Sequence, residues 1–262
     1  MLARLTSVDG VLLVTATILG LSIMLLGCAW RTASAQSTGQ KRALTILVFT
    51  KTAGFRHNSI GAGVAAIKTL GNKHNFHVDA NEEASVFTDK HLARYRCVVF
   101  LNTTGDVLDS NAQAAFERFI RRGGGFVGIH AATDTEYAWP WYGKLVGTYF
   151  DSHPAIQPAT LKVVDATHAS TKHLPAAWRR SDEWYNFRYD PSPRVNVLIQ
   201  VDETTYSGGK MGANHPIAWY HQYDGGRSWY TAMGHTQESY QDPLFLNHLL
   251  GGIRWSAGAM PE

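Results

Sequence analysis

The chain is 262 residues long, with 24 Lys and Arg against 21 Asp and Glu and a formal net charge of +3. So small an excess, with no basic stripe interleaved with aromatics, excludes a nucleic-acid partner. The length suits one α/β domain with a substantial core.

Residues 1–35 read as an export signal. Arg4 supplies a weak positive start, residues 11–26 are apolar apart from small and hydroxyl side chains, and Ala33-Ser34-Ala35 is a small-residue cleavage site. A bacterial lipobox is the alternative, Leu25-Leu26-Gly27-Cys28, with Cys28 as the lipid-carrying residue and Leu26 larger than that position prefers. An uncleaved anchor is a third reading, since the apolar stretch approaches bilayer-spanning length. All three put the folded part outside the cytoplasm, periplasmic or extracellular, and limit membrane contact to this segment. If Cys28 is removed or lipidated, Cys97 is alone and no internal disulfide can form. Within Cys97-Val98-Val99-Phe100-Leu101 it reads as a small buried hydrophobe rather than a nucleophile.

A polar leader at 36–42 precedes a domain over 43–258. The spacing predicts a strand at 43–50, then a loop ending Gly54-Phe55-Arg56-His57-Asn58. Ser59 caps a helix whose Val64, Ile67 and Leu70 share one face. Strands follow at 76–80 and 95–102, and Ser110 begins a helix that offers Ala114, Phe116 and Ile120 for burial. Gly123-Gly124-Gly125 then turns into the short buried strand Phe126–Ile129, ending at His130-Ala131-Ala132-Thr133-Asp134. This alternation predicts an α/β fold: a central, mostly parallel sheet flanked by helices, with right-handed crossovers. Past Asp134 the pattern changes. Residues 137–142 form an aromatic loop; strands are expected near 159–164 and 195–201, and a hairpin at 216–223 and 227–233 around Asp224-Gly225-Gly226. Asp242 opens a C-terminal helix carrying Leu244, Phe245, Leu249 and Ile253.

Ligands of open α/β sheets bind beyond the carboxyl ends of the strands. His57, His130 and His235 each follow an expected strand, His153 sits in Ser152-His153-Pro154, and Glu183 in Asp182-Glu183-Trp184-Tyr185. Each by itself reads first as an ordinary polar turn residue. Together with Asp134 they make one set suited to proton transfer or to binding a divalent cation, although no closely spaced ligand motif supports the metal directly. Trp139, Trp141, Tyr142, Trp184 and Tyr185 lie in the same loops and suit stacking on a polyhydroxylated ring; a satellite core under long loops explains them equally. Arg56 could orient an anion or form a surface pair. His74, His77, His91, His168, His173, His221 and His248 read as structural.

Gly54-Phe55-Arg56-His57, the run Gly123–Asp134, Ser152-His153-Pro154, Asp182–Tyr185, and Pro216-Ile217-Ala218-Trp219 leading to Gly234-His235 resemble the ThuA-like (trehalose utilisation) family. The resemblance runs from about Leu44 to Trp255. It implies a class I glutamine amidotransferase-like, flavodoxin-like fold. His130 stands where amidotransferases place a nucleophilic Cys, so thiol acyl transfer is not implied. It also implies disaccharide or glycoside breakdown, including sugars oxidised at carbon 3, with His57, His130, Asp134, His153, Glu183 and His235 around the substrate.

The expected activity is cleavage of a glycosidic bond, that of a 3-keto-glycoside or related disaccharide, by an exported enzyme. His130 is the expected base, Glu183 the acid and Asp134 an orienting group or metal ligand. His57, His153 and His235 would hold a divalent metal or stabilise an oxyanion. Arg56, Trp139, Trp141, Tyr142, Trp184 and Tyr185 are the expected sugar-binding set. No nucleotide cofactor is expected. The alternative is a non-catalytic sugar-binding protein at the cell surface.

Overall fold

The computed structural model describes residues 44–259; the expected export segment, Cys28 and the leader at 36–42 lie outside them. Among the described residues no helix is long and apolar enough to cross a membrane.

Strand β1 (Leu44–Phe49) ends in four fully buried residues because helices cover both faces of the sheet around it. Helix α1 (Ile60–His74) buries Ile60, Ile67 and Leu70 at helical spacing. Asn75, in the left-handed region at φ 59°, ends it. Strand β2 (Phe76–Asn81) then pairs parallel with β1. The Ser59 hydroxyl does not cap α1 as expected; it accepts the Asn102 amide at 3.0 Å and donates to Gly234 O. The short α2 (Asp89–Leu92) leads into β3 (Cys97–Leu101), where Cys97 is wholly buried and its thiol is pushed up by burial. Helix α3 (Ser110–Arg121), capped by the Asp109 carboxylate, returns the chain to β4 (Gly125–Ile129).

The aromatic segment differs from expectation. Pro140 starts a helix, α4 (Pro140–Val146), and Trp139, Trp141 and Tyr142 stack on one another beside Phe116. The segment shows no amphipathic period because most of the helix is buried. Beyond it lie β5 (Phe150–Ser152), β6 (Gln157–Val163), β7 (Ala177–Asp182), β8 (Asn186–Phe187), β9 (Asn196–Val201), β10 (His215–Tyr223), β11 (Gly226–Thr231) and α5 (Pro243–Ser256). Asp224 and Gly225, at φ 48° and 91°, make the tight turn that closes the β10–β11 hairpin.

The main sheet runs β2-β1-β3-β4-β11-β10-β9-β6-β7. Its first five strands are parallel, the expected central sheet, and the remaining pairings are antiparallel. Strand β7 was not foreseen, because Arg179-Arg180 breaks its apolar signal. Arg180 fits the inner face by packing its guanidinium between the Trp178 and Phe245 rings, 4.8 Å from each centroid. Successive antiparallel pairings from β11 to β7 leave β7 pointing the same way as β4 and β11. The loops after β1, β4, β7 and β11 therefore leave the sheet on one side.

Candidate functional site

His130 leaves β4 with φ 50°, a left-handed conformation uncommon for a residue other than Gly and held only where the surroundings enforce it. Its Nδ1 lies 2.7 Å from Ala232 O, and its own carbonyl accepts the Tyr230 hydroxyl at 2.8 Å. A carbonyl can only accept, so Nδ1 carries a proton, and Nε2 is left to face His235 and Glu183. The ring is completely buried.

Glu183 and His235 meet it there. His130 Nε2 is 3.1 Å from His235 Nδ1 and 3.4 Å from Glu183 Oε2, and His235 Nδ1 is 3.1 Å from the same oxygen. His57 completes the group, its ring edge-on to His130 and His235 at centroid distances of 4.9 and 5.0 Å. It is 5% exposed, and its Nδ1 has no hydrogen-bond partner among the described residues. One ligating atom from each of His57, His130, Glu183 and His235 lies within 4.8 Å of every other. Burial, and then His130 and His235, push the His57 imidazole down to about 3. Burial works to raise the Glu183 carboxyl, but its bonds to His130 and His235 outweigh it and hold the group at about 2. His235 is raised: burial opposes its charge, and Glu183 overcomes that.

Asp182 sets this geometry from below. Its buried carboxylate accepts the backbone N–H of Glu183 at 3.0 Å, of Gly234 at 2.9 Å and of His235 at 3.1 Å, and pairs with Arg180 at 3.1 Å. Neighbouring strands lie about 4.8 Å apart, so four steps of a flat sheet would put β7 roughly 19 Å from β11. The antiparallel wing therefore curls back over the parallel half, and that curl closes the site. Gly234, at φ 110°, supplies the reversal that carries His235 inward.

A cavity of about 320 Å³ opens above the cluster, lined by Phe55, His57, Asp134, Phe150, His153, Glu183, Tyr185 and His235. The His153 side chain is 41% exposed, with Nδ1 3.0 Å from both Glu183 Oε1 and Pro154 O. Two acceptors on one nitrogen place the proton there and leave Nε2 as a base. Asp134 accepts the Tyr137 hydroxyl at 2.6 Å. Burial raises its carboxyl above the ordinary range despite that bond. Phe55 is 67% exposed at the mouth, and the Phe150 and Tyr185 rings pack at 4.4 Å.

The structure thus brings together His57, His130, Asp134, His153, Glu183, Tyr185 and His235. It separates the other expected ligand contacts. Trp139 Nε1 bonds Glu117 and Trp141 Nε1 bonds Asp224, on the α3 side of the sheet. Tyr142 is wholly buried with its hydroxyl on Ala132 O, and Trp184 is wholly buried with Nε1 on Gln157 O. Rings so enclosed cannot stack on a sugar. Arg56 makes a bidentate pair with Glu82 at 2.8 and 3.0 Å. It lines a wider groove of about 840 Å³ over α1 and β2, which contains only His57 of the cluster.

Two expected roles also change. His130 does not reach the cavity lining, so it cannot act as the base on a bound substrate. Glu183, ionised among three imidazoles, is unsuited to donate a proton. Phe55, Phe150, Asp182 and His215 were not singled out from the sequence. His215 is buried, with Nε2 2.8 Å from Tyr185 O and Nδ1 2.8 Å from Glu203, and so fixes the backbone carrying Tyr185. Asp182 had a legible signal: it continues the inward alternation Trp178, Arg180, Asp182 to the end of β7.

A family model described as ThuA, trehalose utilisation, matches residues 45–256. Among solved structures, a ThuA-like protein from Bacteroides uniformis ATCC 8492 is 25% identical with a TM-score of 0.70, covering 81% of this chain and 91% of its own. A ThuA-like protein from Parabacteroides merdae ATCC 43184 is 23% identical with a TM-score of 0.72, covering 84% and 92%. A β-galactosidase from Bacillus circulans sp. alkalophilus shares the fold over 84% of this chain and 32% of its own, at 14% identity and a TM-score of 0.57. Comparison with curated proteins finds no match.

Proposed function

Because the chain belongs to the ThuA trehalose-utilisation family, we propose that its cavity takes a small carbohydrate and cleaves a glycosidic bond, that of a 3-keto-glycoside or related disaccharide. One observation carries the reading: Phe55, Phe150 and Tyr185 share a single cavity with the proton-handling groups Asp134 and His153. At about 320 Å³ it lies at the small end of the ~300–1,000 Å³ range of small-molecule sites. Aromatic faces beside hydrogen-bonding groups suit a sugar ring.

A carbonyl at carbon 3 makes the hydrogen on carbon 2 acidic. In this reading His153 Nε2 takes that proton, with Glu183 holding Nδ1 in place behind it. The C2–H electron pair becomes a C1–C2 double bond as the C1–O bond breaks. Asp134, whose carboxyl burial shifts upward and so toward the protonated form, gives its proton to the leaving oxygen. Addition of water across C1–C2 then completes a net hydrolysis and returns both protons. His235, which lines the cavity and whose imidazole Glu183 holds above its ordinary value, faces the developing oxyanion. The same reading has the enzyme act outside the cytoplasm after loss of residues 1–35, which the intact mass of the mature protein tests.

The deciding experiment incubates the purified protein with 3-keto-glucosides and with unoxidised glucosides in D₂O and reads products by mass. Release of the aglycone from the 3-keto forms, with deuterium at carbon 2, is the expected result. Conversion of plain glucosides alone rejects the elimination route. Binding of both without turnover makes the protein a sugar-binding module.

A further inference from the structure

We infer that His57, His130, Glu183 and His235 form a binding site for one divalent transition-metal cation, with zinc the best-matched ion. The inference concerns the cluster beneath the cavity and stands whether or not the substrate is a sugar.

The first argument is spacing. A tetrahedral ion with arms of 2.0–2.1 Å separates its ligand atoms by about 3.4 Å. His130 Nε2, His235 Nδ1 and Glu183 Oε2 form a triangle with sides of 3.1, 3.4 and 3.1 Å. His57 offers a fourth atom within 4.8 Å of all of them. Three imidazoles and one carboxylate are a donor set of borderline softness, which favours zinc and its neighbours over magnesium or calcium.

The second argument is orientation. Ligating histidines ordinarily donate their remaining N–H to a carbonyl or carboxylate, which fixes the ring. His130 does this through Ala232 O. The backbones of Glu183 and His235 are fixed by a shared acceptor, Asp182. The left-handed turn at His130 is the conformational cost of aiming Nε2 at this point.

The third argument is the atom that hydrogen bonding leaves over. Shared protons account for the contacts among His130, His235 and Glu183. They do not account for His57, whose buried Nδ1 meets no donor or acceptor among the described residues. A buried polar atom without a partner is costly, and a packed ring kept there without one points to a ligand. Because His57, Glu183 and His235 also line the cavity, the cation would sit at its floor, where a Lewis acid meets a substrate oxygen.

The test uses the full chain, stripped by dialysis against a chelator and titrated with Zn²⁺, Mn²⁺ and Mg²⁺ by calorimetry. One Zn²⁺ per chain is expected, bound far more tightly than Mg²⁺. Co²⁺ at the same site is expected to give the intense visible absorption of a tetrahedral centre. The isosteric Glu183→Gln and the His235→Ala variants are expected to weaken Zn²⁺ about 100-fold or more, whereas Asp134→Asn keeps the wild-type affinity. Circular dichroism confirms that each variant is folded; if His235→Ala fails this check, Glu183→Gln and the Co²⁺ spectrum decide. No Zn²⁺ binding by the stripped wild type, or equal affinity in wild type and Glu183→Gln, overturns the proposal. Neither outcome touches the sugar reading, which rests on product mass.

Discussion

The carboxylate of Asp182 accepts the His235 backbone N–H at 3.1 Å, tying the end of β7 to the loop after β11 across the width of the antiparallel wing. The same carboxylate serves Glu183 N, Gly234 N and Arg180. Asp182→Ala would leave the backbone N–H groups of Glu183, Gly234 and His235 without their acceptor and take from the Arg180 guanidinium, only 7% of whose side chain is exposed, one of its two carboxylate partners, the other being Asp242. The expected loss is about 3–5 kcal/mol of stability, the scale for breaking a buried pair from one side. Chemical denaturation measures it. A loss under about 1 kcal/mol would mean that the curl of the wing is held elsewhere.

The assigned proton carriers make a second, kinetic expectation. Asp134→Asn and His153→Gln keep the shape of the cavity while removing a transferable proton. Turnover of a 3-keto-glycoside should fall about 10²–10⁴-fold in each, with KM changed little. A proportional rise in KM with unchanged kcat would reassign both residues to ground-state binding.

Phe55 and Trp139 separate surface stacking from core packing. Phe55 is 67% exposed at the cavity mouth, so Phe55→Ala should raise KM about tenfold and leave stability within about 0.5 kcal/mol. Trp139 is buried against Trp141 and Tyr142, so Trp139→Ala should cost about 3–5 kcal/mol of stability and leave KM unchanged in the folded fraction. The reverse pattern would return Trp139 to the ligand.

This contrast shows where sequence reading succeeds in the molecule and where it stops. The parallel strands were legible because both their faces are buried, which leaves continuous apolar runs such as Cys97–Leu101 and Phe126–Ile129. His57, His130 and His235 were legible as a set because strand ends in such a sheet share an edge. The aromatic loop residues were misread because composition cannot tell a ring that faces a ligand from one that faces α3. Asp182 was passed over for Glu183, its neighbour in sequence, because only the alternation along β7 separates the inward-facing anchor from the residue that reaches the cavity. Arg180 hid that alternation, since a buried guanidinium between two rings reads as surface.

His248, which does not line the cavity, carries a pH dependence of stability. Its ring is fully buried between Trp229 and Phe245, Nδ1 donates to Ser170 O at 2.8 Å, and Nε2 has no partner among the described residues. Burial pushes the imidazole down to about 3 from an ordinary 6.5, and the Ser170 bond only partly offsets this. The unfolded chain therefore takes up a proton below about pH 6.5 that the folded chain refuses until about pH 3. Within that window this residue alone lowers stability as pH falls, by about 1.4 kcal/mol per pH unit. His248→Asn keeps a donor toward Ser170 O and cannot titrate. Urea midpoints at pH 7, 6 and 5 should therefore decline less steeply in the variant, by about that slope between pH 6 and 5. Parallel declines in the two proteins would show that His248 accepts its proton in the folded state, and that the packing around Nε2 admits a charge.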